Sequence, residues 1–411
     1  MFLQIHYMTS YHASLLNRDD SGLAKRITFG GVPRLRISSQ SQKRHWREWI
    51  KARILQPDSS LNALNDWYGY RTRHFFNTIL KENLITNHID ETLADTLITL
   101  LADKLLTTSK NKKTNGQTVH ALKSALDTDQ PLLFGKPEAD YLTEILLESA
   151  QQQDPQSALN TRMAAEKKAK NFKAVLQRNQ SPYPAAGLEG ALFGRFVTSD
   201  ILARIDAPVH VAHAFTTHAL DSESDFFTVV DDLARDEDTG AAHMNDMELG
   251  AGIFYGYVAI DWPLLLANLT GCDPRDWRTL TPQNCESARI LIDLLIHAIA
   301  EVSPGAKLGA TAPHARAHCV ILEVGPSQPR SLANAFLTPV ALRHNTTDNP
   351  LDQSVAALAS YLARLDEMYG TNPNDRRYVS CLSSWPNATL STLPLQTAID
   401  HSLTRLMGDA S

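Results

Sequence analysis

Apolar and polar positions alternate over Phe2–Met8 (FLQIHYM), the two-residue period of a strand. A different period follows. Trp46, Trp49, Ile50 and Ile54 recur at three- and four-residue spacing, which predicts a helix from Ser38 or Ser39, both good N-cap residues, to about Leu55. Ile89–Thr108 and Pro137–Gln152 carry amphipathic helical periodicity, and Ala158–Leu176 reads as a polar helix. Ser181–Gly190, rich in Pro and Gly, breaks the helical region. Alternation returns at Pro208–Thr217. The DSESD run at 221–225 then reads as a turn, with Phe226–Val230 as the answering strand of a hairpin. Gly250–Ile260 and Ala317–Val324 are further strands. Between them Thr281 caps a helix with Pro282 at its first position, running to about Val302. Gln353–Tyr369 is a helix closed by Gly370. Strands interspersed with packing helices predict an α+β fold.

Charge changes this picture at one place. Over Asn17–Arg47 the chain carries Arg18, Lys25, Arg26, Arg34, Arg36, Lys43, Arg44 and Arg47 against Asp19 and Asp20, a local +6 in a protein of net charge -6. Such a block is either a solvated basic face paired with acids elsewhere or the electrostatic footprint of a phosphate backbone. On the expected helix Lys43, Arg47 and Lys51 share one edge, while Arg44 and Glu48 are spaced as an i,i+4 ion pair. Gln40 falls in the first turn, where N–H groups and the helix dipole favour an anion. Gly30 and Gly31 allow close backbone approach to a ligand. A second lysine cluster, Lys167, Lys168, Lys170 and Lys173, reads mainly as a solvated helix face.

Other chemistries find little support. At 411 residues and 43% hydrophobic composition the chain can bury a substantial core. Its N-terminus lacks a basic region followed by a long apolar run, so no signal peptide is expected. The apolar stretch near Ile290–Val302 is interrupted by Asp293, His297 and Glu301 and is too polar for a bilayer. Cys272, Cys285, Cys319 and Cys381 are scattered without a CxxC, which points to a reducing, cytoplasmic setting and no zinc site. His210, His213 and His218 form no convincing metal set, because odd spacing on a strand points 210 and 213 to opposite faces. No Walker loop, HExxH or GxSxG is present, and His297 with Glu301 reads as a structural pair. The chain is expected to be no enzyme and to need no metal or cofactor.

Five ordered blocks carry a resemblance. LNRDD followed by FGGxxRxRISSQSxKRxxR, ALFGRFVTSD (191–200), VHVAHAFTTHALDSESDFFTVVDDL (209–233), GAGIFYGYVAID (250–261) and EVSPGAKLGA (301–310) resemble the CasC family. These are the repeated backbone subunits of the type I-E CRISPR surveillance complex, Cascade. The similarity spans most of the chain and is weakest at 56–185 and beyond 340. It implies a modified RRM-like, ferredoxin-like palm with a helical fingers insertion and a thumb β-hairpin. In that scheme residues 1–55 are the first part of the palm with its basic loop and helix. Residues 56–185 are the fingers, and 186–411 are the second part of the palm, with the thumb at about 205–240.

The resemblance also implies a role for particular residues. Arg18, Lys25, Arg34, Arg36, Gln40, Lys43, Arg44 and Arg47 would line the groove for the CRISPR RNA backbone, binding phosphate without sequence choice. Arg34 and Arg36 alternate on an expected strand, so one of them is open to a structural role. Gly194, Arg195 and Phe196 form a second cluster. The family commonly has methionine where this chain has Phe196, and an aromatic there is either core or a wedge against a base. Phe227 and Thr228 match thumb residues that press between nucleotides, with Phe226 as packing. Lys307 in PGAK is either a backbone contact or a plain surface lysine. The implied partners are CRISPR RNA, the target DNA strand by way of the guide, further copies of the chain stacked head to tail, and other Cascade subunits, with no membrane. Two other readings remain. One is a metal-dependent ribonuclease of the related type III class, with Asp19 and Asp20 holding Mg²⁺. The other is a stand-alone single-stranded RNA-binding regulator.

Overall fold

The computed structural model describes residues 1–56, 61, 64, 67–106, 126–169, 184, 186–195, 204–229, 243–305, 311–342, 349–386 and 390–408. The chain divides into two compact units. The first comprises Met1–Arg53, His210–Asp261 and Arg289–Ser411, and the second Ile54–Val209 and Trp262–Ala288. The second unit thus draws on the chain twice, where the sequence suggests one insertion over 56–185.

Among the described residues the first unit is built on a nine-stranded sheet. Its strands are β1 (Phe2–Ser14), β2 (Arg26–Phe29), β3 (Val32–Ile37), β6 (Val209–Val211), β7 (Ala214–Thr216), β8 (Ser222–Val229), β9 (His243–Asp261), β10 (Cys319–Gly325) and β11 (Arg376–Cys381). The path is β11-β10-β1-β9-β7-β3-β2, with β6 and β8 also on β9. The ladders joining β1 to β9 and β10, β10 to β11, β2 to β3, β3 to β7, and β7 and β8 to β9 are antiparallel. β1 is central. It is buried on both faces over Leu3–Thr9, so its alternation sorts two cores rather than core from solvent.

One face holds Met8, Tyr255, Ile321 and Val379, packed with Val355, Leu358 and Leu362 of the helix Pro350–Tyr369. That helix is capped by Asn349, whose Oδ1 accepts from the N–H groups of Leu351 and Asp352 at 2.9 Å each, and it ends on Gly370 at φ 74°. The same face carries a polar cluster. His6 is fully buried and bonded to the Tyr255 hydroxyl at 2.9 Å and to Glu323 at 3.2 Å. Arg330 and Arg377 both reach Glu323, and Arg377 also forks onto Asp366. Burial holds the His6 imidazole below its ordinary pKa, against the opposing pull of Glu323. On the opposite face Tyr7 meets Trp46 edge-on, with ring centroids 6.4 Å apart. A Cβ at residue 256 would collide with the Tyr7 ring, so only Gly256 leaves it room.

The second unit has its own core. Helices α2 (Glu82–Thr86), α3 (Glu91–Leu106), α4 (Lys136–Ala150) and α5 (Pro155–Ala169) bury Leu84, Leu97, Leu101, Leu142, Leu146 and Met163 around Phe75, Phe76 and Phe134. Phe75 and Phe134 stack at 3.8 Å. A short two-stranded ladder, β4 (Tyr70–Thr72) with β5 (Leu132–Phe134), closes one side. Lys167 and Lys168 are exposed at the end of α5, while Lys170 and Lys173 lie outside the described residues.

DSESD is not a turn. Glu223, Ser224 and Asp225 belong to β8 and face Leu249, Glu248 and Met247 of β9. The hairpin therefore pairs β8 with β9, not with Pro208–Thr217, which is broken into β6 and β7. Local turn chemistry loses here to the ladder offered by a 19-residue partner strand.

Candidate nucleic-acid interface

Helix α1 (Ser39–Ile54) organises the basic block. Trp46, Ile50 and Ile54 are buried at spacing four, and Trp49 is half-buried beneath the Arg53 guanidinium, 4.7 Å from its ring. This anchoring leaves Arg44 exposed and Lys43 and Arg47 half-buried. The Arg44 Nε donates to Glu48 at 2.8 Å across an exposed i,i+4 pair. Gln42, unremarked in the sequence, is 3% exposed. It accepts from the Tyr7 hydroxyl and donates to the carbonyls of Ile37 and Ala212, fixing the helix to the sheet.

The start of α1 is capped from within. Ser38 Oγ accepts from the Ser41 N–H at 3.2 Å, and His213 Nδ1 accepts from the Ser39 N–H at 2.9 Å. Two helix-terminal donors expected for a ligand are thus taken by the protein. Gln40 is exposed beside them, its Oε1 receiving the Ser39 hydroxyl at 3.3 Å.

His213 marks where the cations converge. Its pKa is lowered by burial first, then by Arg36, Lys25 and Lys43. Those three come from β3, from the segment before β2 and from the first turns of α1. The Nε of Arg36 is buried without a hydrogen-bond partner, although its side chain as a whole is half-buried. The sequence offered His213 only as a weak metal ligand. Its placement after β6, against α1, could not be seen without the fold. His218 is buried and bonded to the Ala219 carbonyl and the Ile253 N–H. Among the described residues no group of three or more potential ligands could hold a metal ion.

The loop leading into the block is self-supported. Asn17 Oδ1 accepts from the Ser38 N–H, and the Asn17 carbonyl accepts from Lys25. Asp19 Oδ1 accepts from the N–H groups of Ser21 and Leu23, so this carboxylate shapes the loop. Arg18 is exposed above it. Arg26 pairs with Glu248, which also accepts from the Ala24 N–H at 2.8 Å. Burial pushes Glu248 up, but the hydrogen bonds from Ala24, Ser222 and Arg26 outweigh it and bring its pKa down.

Four positions expected at the ligand have internal neighbours instead. Arg34 is 0% exposed, and its guanidinium donates to the carbonyls of Phe29, Thr216 and Phe336 at 3.3, 2.9 and 2.8 Å. It is a brace of the sheet, fully buried and bonded to three backbone carbonyls. Arg195 is 5% exposed and forks onto Glu138 at 2.5 and 2.7 Å, with Leu133 O at 3.0 Å. It holds the second unit together. Gly194, at φ 73°, allows close approach to its own chain: a Cβ there would lie 2.7 Å from Ile205 O. Gly30 is similar, since a Cβ would collide with Leu337 O. Phe196 and Lys307 lie outside the described residues. Phe227 and Thr228 are placed by backbone alone, in β8 opposite Asn245 and Met244.

The fold is shared with known proteins. The chain belongs to the CT1975-like protein family, whose model matches residues 3–407. A solved chain described as "CRISPR RNA-guided surveillance complex, pre-nicking" aligns with a TM-score of 0.72 and 25% identity, over 99% of this chain and 100% of its own. Another, described as "CRISPR RNA-guided surveillance complex", shares the fold at TM-score 0.54 and 21% identity, over 98% and 99%. No curated protein sequence matches. The resemblance to CasC backbone subunits carried by the five sequence blocks agrees with these matches.

Proposed function

We propose that the chain is a non-catalytic CRISPR RNA-binding backbone subunit of a surveillance complex of the type I-E kind. The observation that carries this reading is the convergence of Lys25, Arg36 and Lys43 on His213 at the head of α1, the helix that also bears Gln40, Arg44 and Arg47, with Arg18 exposed in the preceding loop. The fold match to a chain of an RNA-guided surveillance complex supports it. In this reading the nine-stranded sheet is the RRM-like palm, the second unit supplies the fingers and the β8–β9 hairpin is the thumb. Phe196, Phe227, Thr228 and Lys307 remain contacts proposed from the resemblance. Copies stack head to tail along one RNA, an open heterologous assembly. The guide's bases, not the protein, then read the target DNA strand. Neighbouring Cascade subunits cap the array, and the setting is cytoplasmic. Among the described residues no helix is long and apolar enough to cross a membrane.

The test is a gel-shift titration on end-labelled CRISPR RNA with Mg²⁺. Discrete shifts that increase in number with RNA length, on intact RNA, are the expected result. Unrelated spacers should bind alike. RNA shortening that EDTA prevents, or equal competition by duplex RNA, would overturn the reading.

A further inference from the structure

All four cysteines are free thiols, yet two of them are neighbours. Cys319 opens β10 and Cys381 closes β11, and the register sets them directly opposite each other. The adjoining pair is His318 with Leu382, where the Leu382 N–H donates to the His318 carbonyl at 3.0 Å. Antiparallel ladders alternate hydrogen-bonded and non-hydrogen-bonded pairs, so Cys319–Cys381 is the non-hydrogen-bonded kind. Such pairs bring Cα atoms to about 4.5 Å, with side chains at their closest. That separation falls within the roughly 4.4–6.8 Å that a disulfide spans. The two thiols are close enough that each shifts the other's titration.

We propose that Cys319 and Cys381 form a reversible cross-strand disulfide, made by thiol–disulfide exchange with a small disulfide of the glutathione class. The two partners are unequal. Cys319 is 1% exposed, whereas Cys381 is half-buried. The contact with Cys319 lowers the Cys381 thiol, while the same contact and burial raise Cys319. Cys381 is therefore the attacking thiolate and Cys319 the resolving thiol. The Cys381 sulfur attacks one sulfur of the small disulfide, breaks its S–S bond and releases one thiolate. That thiolate takes the proton of Cys319. The Cys319 sulfur then displaces the second small thiolate from Cys381, which leaves protonated by solvent. Two protein thiols and one small disulfide become one protein disulfide and two small thiols.

The bond would close residues 320–380 into a loop. That segment carries the helix Pro350–Tyr369 and supplies almost the whole lining of a cleft of about 700 Å³, with Glu323, Arg330, Asp366 and Arg377 in its wall. Oxidation should thus fix the edge strand β11 to β10 and restrain the cleft.

The experiment incubates the full chain in graded mixtures of reduced and oxidised glutathione, blocks remaining thiols with N-ethylmaleimide and maps peptides by mass without reduction. The expected product is a 319–381 linked peptide two hydrogens lighter than the pair, reversed by dithiothreitol. The oxidised protein should melt roughly 5 °C higher. Cys319→Ser should instead accumulate a glutathione adduct on Cys381, and Cys381→Ser should form neither product. Full alkylation of both thiols in the most oxidising mixture would overturn the proposal, as would a Cys272–Cys285 link formed in their place. The wild-type map alone decides the matter if a variant fails to fold.

Discussion

Arg34 lies in the same basic block as Lys43, Arg44 and Arg47, and Arg195 follows a glycine in a second stretch, yet the fold uses the two buried arginines and the helical cations oppositely. The buried arginines satisfy carbonyls and a carboxylate inside the units. The α1 cations ride on a helix whose apolar stripe turns them toward the surface. What separates them is not charge but what the neighbouring backbone leaves unpaired. A buried guanidinium is tolerated only where acceptors pre-exist at its fork. At Arg195 they are Glu138 and Leu133 O, and at Arg34 three carbonyls.

The contrast can be broken by substitution. Arg195→Ala leaves the Glu138 carboxylate buried and uncompensated, and should cost about 3–5 kcal/mol of unfolding free energy by denaturant titration. Arg34→Met removes charge-assisted bonds to three carbonyls, and should cost about 3 kcal/mol by the same measurement. Both are stability effects. A comparable loss of RNA affinity in either variant, at full retention of fold, would return that arginine to the interface. The triple change Lys43→Ala, Arg44→Ala, Arg47→Ala should do the reverse. Unrelated spacers should lose affinity about equally, and the log–log salt slope should shrink by about 0.7 for each phosphate no longer neutralised. One spacer weakened alone would sink the backbone-reading idea. Arg44→Ala by itself is the smallest, within about 0.5 kcal/mol of stability, because its partner Glu48 is also exposed.

Acid extends the comparison to the buried polar cluster. His6 and His218 have folded pKa values below the unfolded value, so unfolded chains take up their protons first. Their contribution is complete above about pH 6.5 and declines as pH falls below it. Burial pushes the Glu323 carboxyl up, but His6, Arg377 and Arg330 more than reverse this and hold it far below the usual range. Its contribution is present above about pH 4.3 and is lost in stronger acid. Melting temperatures should therefore fall from pH 7 to pH 5 and fall further below pH 4. A flat profile would show that the cluster is not closed as described.

Much of this was legible in the sequence. The α1 stripe, the alternation of β1, the proline at the start of Pro282–Glu301 and the Gly370 stop are local signals, and the structure keeps them. Long-range pairing was not legible. DSESD satisfies every turn preference and still runs as strand, because β9 supplies its hydrogen bonds. The site was half legible. Its cations were visible as a block, but the burial of Arg34 depends on Thr216 and Phe336, far along the chain. His213 and Gln42 gained roles only when β6, β7 and α1 came together.

During synthesis β1 leaves the ribosome long before its neighbours. It lies between β9 and β10, whose residues follow it by some 240 to 320 positions. At about 5–20 residues per second, that wait is roughly 12–60 s. Throughout it β1 lacks both of its ladder partners. A nascent chain of this design leaves both edges of β1 unpaired for that interval, and its yield should respond to translation speed more than to any single pairing in the finished sheet.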